Sequence, residues 1–211
     1  MENNTVLTLY HAPHSRSSRI IRLIDELDIW TQVEIRVVGV ARQDGSGGHD
    51  PKNPHPEGKV PLLVHDGIEI WESNAIILYL TDLFPDAGMG PVAGDPQRGR
   101  YLSWLAWYGN VVEPVIVIAA AEVSHPILDV TFRGVPEMTS RLANALEQAP
   151  FLMGDKFTAA DLLMVSPFTW FPASAPDHPA IKAWIERCEA QPSAQRTAEF
   201  ETRQLEQDVL A

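Results

Sequence analysis

Residues 85–94, PDAGMGPVAG, hold five Gly or Pro and no apolar period. That interruption separates two stretches of different periodicity, and it reads as a linker between domains. Before it, short apolar runs alternate with helical patterns; after it, helical spacing continues to the end. A chain of 211 residues with 45% hydrophobic side chains can fill a core on each side. The expected division is 1–84, a linker over 85–94, and a second domain over 95–211.

In the first part TVLTLY reads as a strand, Arg16–Leu27 as a helix and QVEIRVV as a second strand. Ile20, Leu23, Ile24 and Leu27 share one helical face, while Arg19, Arg22, Asp25 and Glu26 share the other, so the helix lies on a sheet. A loop, RQDGSGGHDPKNPHPEG, leads to PLLVH and IEIW, joined by Asp66-Gly67, a strong hairpin signal. A helix from Ser73 to Phe84 buries Ile76, Ile77 and Leu80 and stops before Pro85. The order β-α-β, hairpin, helix makes this an α/β domain.

The second part is all-α. Asp95 and Pro96 have the chemistry of a helix start, and YLSWLAWYGNVVEPVIVIAAAE predicts a long helix with a bend at Pro114. Further helices are expected near 132–149, 159–171, 178–190 and 194–208. In FTAAD, Thr158 can cap, Asp161 can answer it, and Phe157 can staple onto Leu162. That is a folding signal, not a site.

The formal charge of −12 is spread evenly, −6 over 1–90 and −6 over 91–211, with no basic patch. Such a chain repels a phosphate backbone, so nucleic acid is not an expected partner. One cysteine, Cys188, allows no internal disulfide and makes a thiolate metal site improbable; no metal is expected. No apolar run approaches the ~20 residues of a span, and MENNTVLTLY lacks the features of a secretory signal. The expected setting is the cytoplasm, away from membranes.

Two stretches concentrate polar chemistry. In GKVPLLVHDGIEIWESNAIILYL, Pro61 cannot donate to a ladder and must sit at a strand entrance, with a cis bond to Val60 among its options. The Val60 main chain, just outside the strand, can then pair with an extended peptide. Eleven residues on, Glu72, Ser73 and Asn74 open a helix whose free amides favour a carboxylate; alternatively Ser73 is only an N-cap. The other stretch, YHAPHSRSSRIIRLIDEL, crowds His11, His14, Ser15, Ser17 and Ser18 into the mouth of one helix.

These pieces together (the β-α-β start with its polar turn, VPLL, WESNAI, the Pro/Gly linker and a helical remainder with FTAAD) resemble the glutathione S-transferase family over roughly Val6–Phe200, most closely its bacterial members. The resemblance implies a thioredoxin-like α/β domain that binds glutathione, an all-α domain that supplies the pocket of an apolar electrophile, and a homodimer. Val60 and Pro61 match the family's main-chain dock for the cysteinyl part of glutathione, with Pro61 cis. Glu72 and Ser73 match its acidic-Ser pair, Ser73 holding the γ-glutamyl carboxylate and Glu72 facing the ammonium. Lys59 and His55 could reach the glycine carboxylate, or serve as solvated surface residues.

In the serine and cysteine types of the family, the residue touching the glutathione sulfur lies four positions before an arginine of the first helix. Counting back from Arg19 gives Ser15. Serine where the common bacterial type has cysteine points to conjugation instead of mixed disulfides. His14, beside it, could supply a charge or proton, and Tyr10 is the competing donor, since other types use a strand-end tyrosine. Ser17 and Ser18 are expected to solvate or cap the first turn. Of the helical aromatics Trp104, Trp107, Tyr108, Trp170 and Phe171, Tyr108 is the candidate for the electrophile pocket. The expected activity is glutathione transfer. Alternatives are glutathione-dependent isomerase, dehalogenase or peroxidase chemistry, or a binding or regulatory protein without turnover.

Overall fold

A computed structural model describes residues 7–209. They form, in order, β1 (Leu7–His11), α1 (Ser18–Glu26), β2 (Val33–Val37), β3 (Leu62–His65), β4 (Ile68–Trp71), α2 (Ser73–Leu83), α3 (Arg98–Trp107), α4 (Glu113–Ala120), α5 (Pro126–Phe132), α6 (Gly134–Leu146), α7 (Ala159–Trp170), α8 (Pro179–Glu189) and α9 (Pro192–Val209). The chain divides into two compact units, Met1–Ala87 with Pro192–Ala211, and Gly88–Gln191.

The first unit is built on a four-stranded sheet of order β2-β1-β3-β4. β1 pairs with β2 in parallel and with β3 antiparallel, and β3 and β4 form the hairpin expected around Asp66-Gly67. Leu7, Leu9 and His11 are buried at alternate positions of β1, and Ile20, Ile21, Leu23 and Ile24 of α1 are fully buried. The helix buries the face its 3.6-residue period marks, but Arg19 and Arg22 of the face expected in solvent are buried as well.

The last helix departs from the expected division, which left 95–211 as one domain. α9 belongs to the first unit, because it packs on α1. The seam is polar: Ser193, Thr197 and Glu201, four residues apart, are the buried positions among the described side chains of α9. Arg22 Nε donates to Ser193 Oγ at 3.1 Å. Asp25 accepts from Arg196 Nε at 2.9 Å and Nη2 at 2.6 Å, and from Trp30 Nε1 at 3.1 Å. Phe200 stacks against Trp30 with centroids 5.2 Å apart.

In the second unit the helical stretch Arg98–Ala120 is continuous, 23 residues long. Pro114 disturbs it in a specific way. Lacking an N–H, it cannot bond the carbonyl four residues back, and the turn just before it widens into a π segment, Tyr108–Val112, in which Glu113 N–H reaches Tyr108 O. One face stays buried throughout, through Tyr101, Trp104, Leu105, Tyr108, Val112, Val115 and Ile116, against α6 and α7. By length and hydropathy this helix could also cross a membrane, a test that buried helices of globular domains pass as well.

FTAAD behaves as its chemistry dictates, and more. Thr158 and Asp161 close a capping box at the start of α7, and Asp161 also accepts from Leu152 N–H at 2.8 Å and Trp184 Nε1 at 2.9 Å. It is fully buried, which pushes its pKa up against the four donors that favour the carboxylate.

Two outcomes follow for stability. Asp161→Ala strands several buried donors at once and should lower the unfolding free energy by about 3 kcal/mol in urea titration; Asp161→Asn, which keeps one acceptor oxygen, should cost less. At Asp25, burial raises the pKa, but bonds from Arg196 and Trp30 and the charges of Arg196 and Arg22 leave it below the ordinary carboxylate value. A depressed folded pKa contributes stability above the unfolded value of about 3.9 and loses it as pH falls through the folded value. The stability gap between wild type and Asp25→Asn, measured by urea unfolding across pH, should therefore close as the pH drops below about 4.

Candidate active site

The strand register brings three chain segments to one end of the sheet. Tyr10, next to the last residue of β1, pairs with Leu62, the first residue of β3, and Leu62 pairs with Trp71, the last of β4. The turn after His11, the Val60-Pro61 entrance and the Glu72-Ser73 helix opening thus share one rim, though they are far apart in sequence.

In the turn, the Ser15 hydroxyl donates to Ala12 O at 2.7 Å or to Ser17 Oγ at 2.7 Å, and accepts from Ser17 N–H at 3.2 Å. Ser15 is half-buried and His14 exposed. Ser17 does not cap α1 with its side chain, as expected; it stands at the N-cap position but turns its fully buried hydroxyl the other way. There it meets His11 Nδ1 at 2.7 Å and accepts from Ala12 N–H at 3.1 Å.

His14 has φ 52°, a left-handed conformation uncommon outside glycine. What holds it is distant in sequence: its N–H donates to Glu201 Oε2 of α9 at 2.6 Å. Arg42 adds a clasp, donating to Pro13 O at 3.0 Å and to His14 O at 3.5 Å. Glu201 Oε1 also faces His11 Nε2 at 3.5 Å. Burial, then the charge of His14, lowers the His11 pKa to about 3, so the ring is neutral. Burial raises the Glu201 pKa, opposed by the Ser18 hydroxyl, the His14 N–H and the charges of His14 and Arg42.

The sequence reading set His11 and Ser17 at the helix mouth without these contacts, and it missed Glu201. His11 carried a signal, since its alternation with Leu7 and Leu9 puts an imidazole on the buried face of a strand. Glu201 carried none, because a glutamate among EFETRQ reads as solvated surface.

Tyr10 points elsewhere. Its hydroxyl accepts from Arg36 Nη1 at 3.3 Å, and Arg36 lies over its ring at 5.9 Å. Arg36 is also held by Glu34, on the same face of β2.

At the strand entrance the Val60-Pro61 bond is cis. Asn53, nearly fully buried, fixes the approach by donating to Lys59 O at 3.1 Å and accepting from His55 N–H at 3.1 Å. His55 Nδ1 accepts from Glu57 N–H at 3.1 Å, and Lys59 Nζ pairs with Glu57 on the surface.

At the helix opening, Glu72 is itself the N-cap residue and Ser73 the first helical one, so Ser73 is not the cap. The Glu72 side chain makes no capping bond, and of the first-turn amides Ala75 N–H donates to Asn74 Oδ1 at 3.1 Å. Glu72 sits at φ 69°, ψ 124°, a sparsely populated conformation costing of order 1–3 kcal/mol. Such strain at a rim of first-turn amides marks a place where an anion would be favoured.

In the second unit, Tyr108 is 2% exposed and belongs to that unit's core, at the start of the π segment. Trp170 and Phe171 are the more exposed aromatics, at 37% and 49%.

Comparison with known proteins gives the context. Family models match twice: "Glutathione S-transferase, N-terminal domain" over residues 5–82 and "Glutathione S-transferase, C-terminal domain" over 111–192. A glutathione S-transferase of Arabidopsis thaliana is 24% identical over 162 residues, 68% of this chain and 64% of its own length. A dichloromethane dehalogenase of Methylorubrum extorquens is 23% identical, covering 93% of this chain and 75% of its own. Among solved structures, a glutathione transferase of Methylococcus capsulatus superposes with TM-score 0.77 at 27% identity, over 93% of this chain and 99% of that one. A sphingomonad glutathione S-transferase complexed with glutathione gives 0.74 at 24%, over 92% and 98%. With both domain models matched in order along the chain, on a mixed sheet followed by helices, this protein belongs to the glutathione S-transferase family.

Proposed function

We propose that the protein is a glutathione transferase that binds glutathione along the rim of the sheet, stabilises its thiolate with Ser15, and directs it at an electrophilic carbon of an apolar co-substrate. The sulfur–carbon bond forms as the leaving group departs or the double bond accepts the electron pair. The observation that carries this reading is the convergence of the Ser15 turn, the Val60-Pro61 entrance and the opening of α2 at one end of the sheet.

In this reading the Val60 main chain pairs with the cysteinyl residue, the amides and hydroxyl of Ser73 take the γ-glutamyl carboxylate, and Glu72 faces the ammonium. Lys59 and His55 stand nearest the glycine carboxylate, Lys59 exchanging its exposed partner Glu57 for the ligand. Ser15 is preferred to Tyr10, whose hydroxyl is engaged by Arg36. His14 contributes charge from the rim, its side chain being exposed. Tyr108 shapes the co-substrate region from within the helical core, and exposed Trp170 and Phe171 offer apolar contact.

A free thiol has pKa about 8.5, so little of it is ionised at neutral pH. A hydrogen bond to a charged acceptor contributes about 1.5–3 kcal/mol. Ser15 must give up its neutral bond to Ala12 O to make it, a loss of about 1 kcal/mol, so the net is roughly one pKa unit. The N-terminus of α1 adds help of the same sign.

The dehalogenase relative supports a second reading, in which the same thiolate displaces halide from a small substrate; isomerase and peroxidase chemistry would use it equally. Retention of the dock without turnover is the binding-protein alternative. A cytoplasmic homodimer completes the proposal, with exposed Ile68 and Trp71 on the edge strand β4 as apolar surface for self-association.

The test is ultraviolet titration of bound thiolate together with turnover of a chromogenic electrophile. Ser15→Ala should raise the bound thiol pKa by about one unit and lower kcat/KM about tenfold at pH 6.5, with glutathione affinity little changed. Ser73→Ala should do the reverse, raising the KM for glutathione with kcat nearly constant. If Tyr10→Phe abolishes activity and Ser15→Ala does not, the donor assignment falls. Glutathione binding without turnover of several electrophiles would favour the binding protein.

A further inference from the structure

One peptide group of the Ser15 turn is gripped from both sides. The peptide between Pro13 and His14 presents its carbonyl to Arg42 Nη2 at 3.0 Å and its N–H to Glu201 Oε2 at 2.6 Å. The carbonyl and N–H of a trans peptide point in opposite directions. A guanidinium and a carboxyl group therefore stand on opposite edges of it and fix its plane.

Left to its own side chain, this peptide would turn over. Proline followed by a residue of positive φ is the pattern of a type II turn, whose second central residue is usually glycine; here His14 takes that place at φ 52°. Rotating the central peptide by about half a turn gives a type I turn, which suits most residues. The two long-range bonds hold the peptide against that preference.

Arg42 is presented for this contact by a self-closing loop. Residues 41–49 are all exposed, so no apolar burial aims the side chain. Instead Arg42 N–H donates to Ser46 O at 2.9 Å, Gly45 N–H to Arg42 O at 3.1 Å, and Asp44 Oδ1 accepts the Ser46 N–H at 2.9 Å. Gly47, at φ 73°, passes so close to Val40 that a Cβ would lie 2.1 Å from its carbonyl oxygen. A guanidinium fork suits a carboxylate, yet among the described residues this one bonds only the carbonyls of Pro13 and, at 3.5 Å, His14. With Ser15 or Ser17 serving Ala12 O, each of three consecutive carbonyl oxygens has a donor. A bare carbonyl oxygen beside Ser15 would repel an anion there.

We propose that Arg42 is a positioning residue for the anion Ser15 contacts: with Glu201 it locks the Pro13–His14 peptide, so that the turn offers the bound sulfur a hydroxyl and no carbonyl oxygen. The inference rests on the reading of Ser15 as the thiolate donor, but its first readout needs no ligand. Arg42→Met, on an exposed loop, leaves the cores intact. In the free protein it should speed hydrogen exchange at the His14 amide about tenfold and leave the amides of Leu9 and Ile24 unchanged.

The second readout is the bound thiol pKa. Arg42→Met and Glu201→Leu remove opposite charges but the same grip, so both should raise it by about half a unit, with glutathione affinity below pH 7 within about twofold. Glu201→Gln keeps an acceptor oxygen and should retain both the slow His14 exchange and the thiol pKa. Shifts of opposite sign in Arg42→Met and Glu201→Leu would mean that the two charges act through space, and overturn the inference. Unchanged His14 exchange in Arg42→Met overturns it too, including the case in which glutathione affinity falls and Arg42 is a ligand contact instead. So does an unchanged thiol pKa in Arg42→Met when Ser15→Ala raises it, and then the donor role of Ser15 stands. An unchanged pKa in Ser15→Ala overturns both.

Discussion

The bond from the His14 N–H to Glu201, 2.6 Å across 187 residues of sequence, is the constraint on which the turn between β1 and α1 depends. A non-glycine residue at φ 52° returns to a commoner conformation unless something over-determines it. Here the main chain of the turn is fastened at Ala12 by Ser15 and Ser17, at Pro13 and His14 by Arg42, and at His14 by Glu201. A buried carboxyl group is costly to leave unpaired, so Glu201 is held to the turn as firmly as the turn is held to it.

This constraint explains why α9 belongs with the sheet although it follows the helical unit in sequence. An apolar helix face can slide along its partner with small change in area burial, whereas a face of Ser193, Thr197 and Glu201 has one register in which each polar group is matched. The Arg196–Asp25 pair and the Arg22–Ser193 bond fix that register at the far end of α1. Helix α1 is thus clamped at both ends, and the atoms at its mouth inherit its position.

The division of legible from illegible elements follows from where information about each is held. β1, β2, the hairpin, α2 and the FTAAD start of α7 were legible, since local alternation, an Asp-Gly turn and a capping box specify them within a few residues. Helix α5 was not, because none of its residues is buried and Ile127 and Val130 are 67% and 78% exposed, leaving no amphipathic stripe to read. The packing of α9 was hidden for the opposite reason: a buried stripe made of Ser, Thr and Glu looks like a solvated one. Of the candidate site, Ser15, Val60, Pro61 and Glu72-Ser73 were nominated through family resemblance, while the burial of Tyr108 was hidden because a helical aromatic gives no sign of which way it faces. The bond between the His14 N–H and Glu201 joins residues 187 apart, and pairing across the whole chain leaves no local trace.

In the proposed function a protein of charge −12 takes an anionic tripeptide against its own field. Amides at a helix opening and at a strand entrance offer partial positive charge to an anion, whereas Lys59, the cation beside the dock, already has Glu57 as partner. The same economy operates at the sulfur. A cation bonded to the sulfur itself would ionise the thiol more strongly but hold the thiolate as an ion pair and blunt its attack. A hydroxyl donor stabilises the anion less and leaves its electron pair available, so a net gain of about one pKa unit raises the thiolate fraction near neutral pH while keeping it reactive.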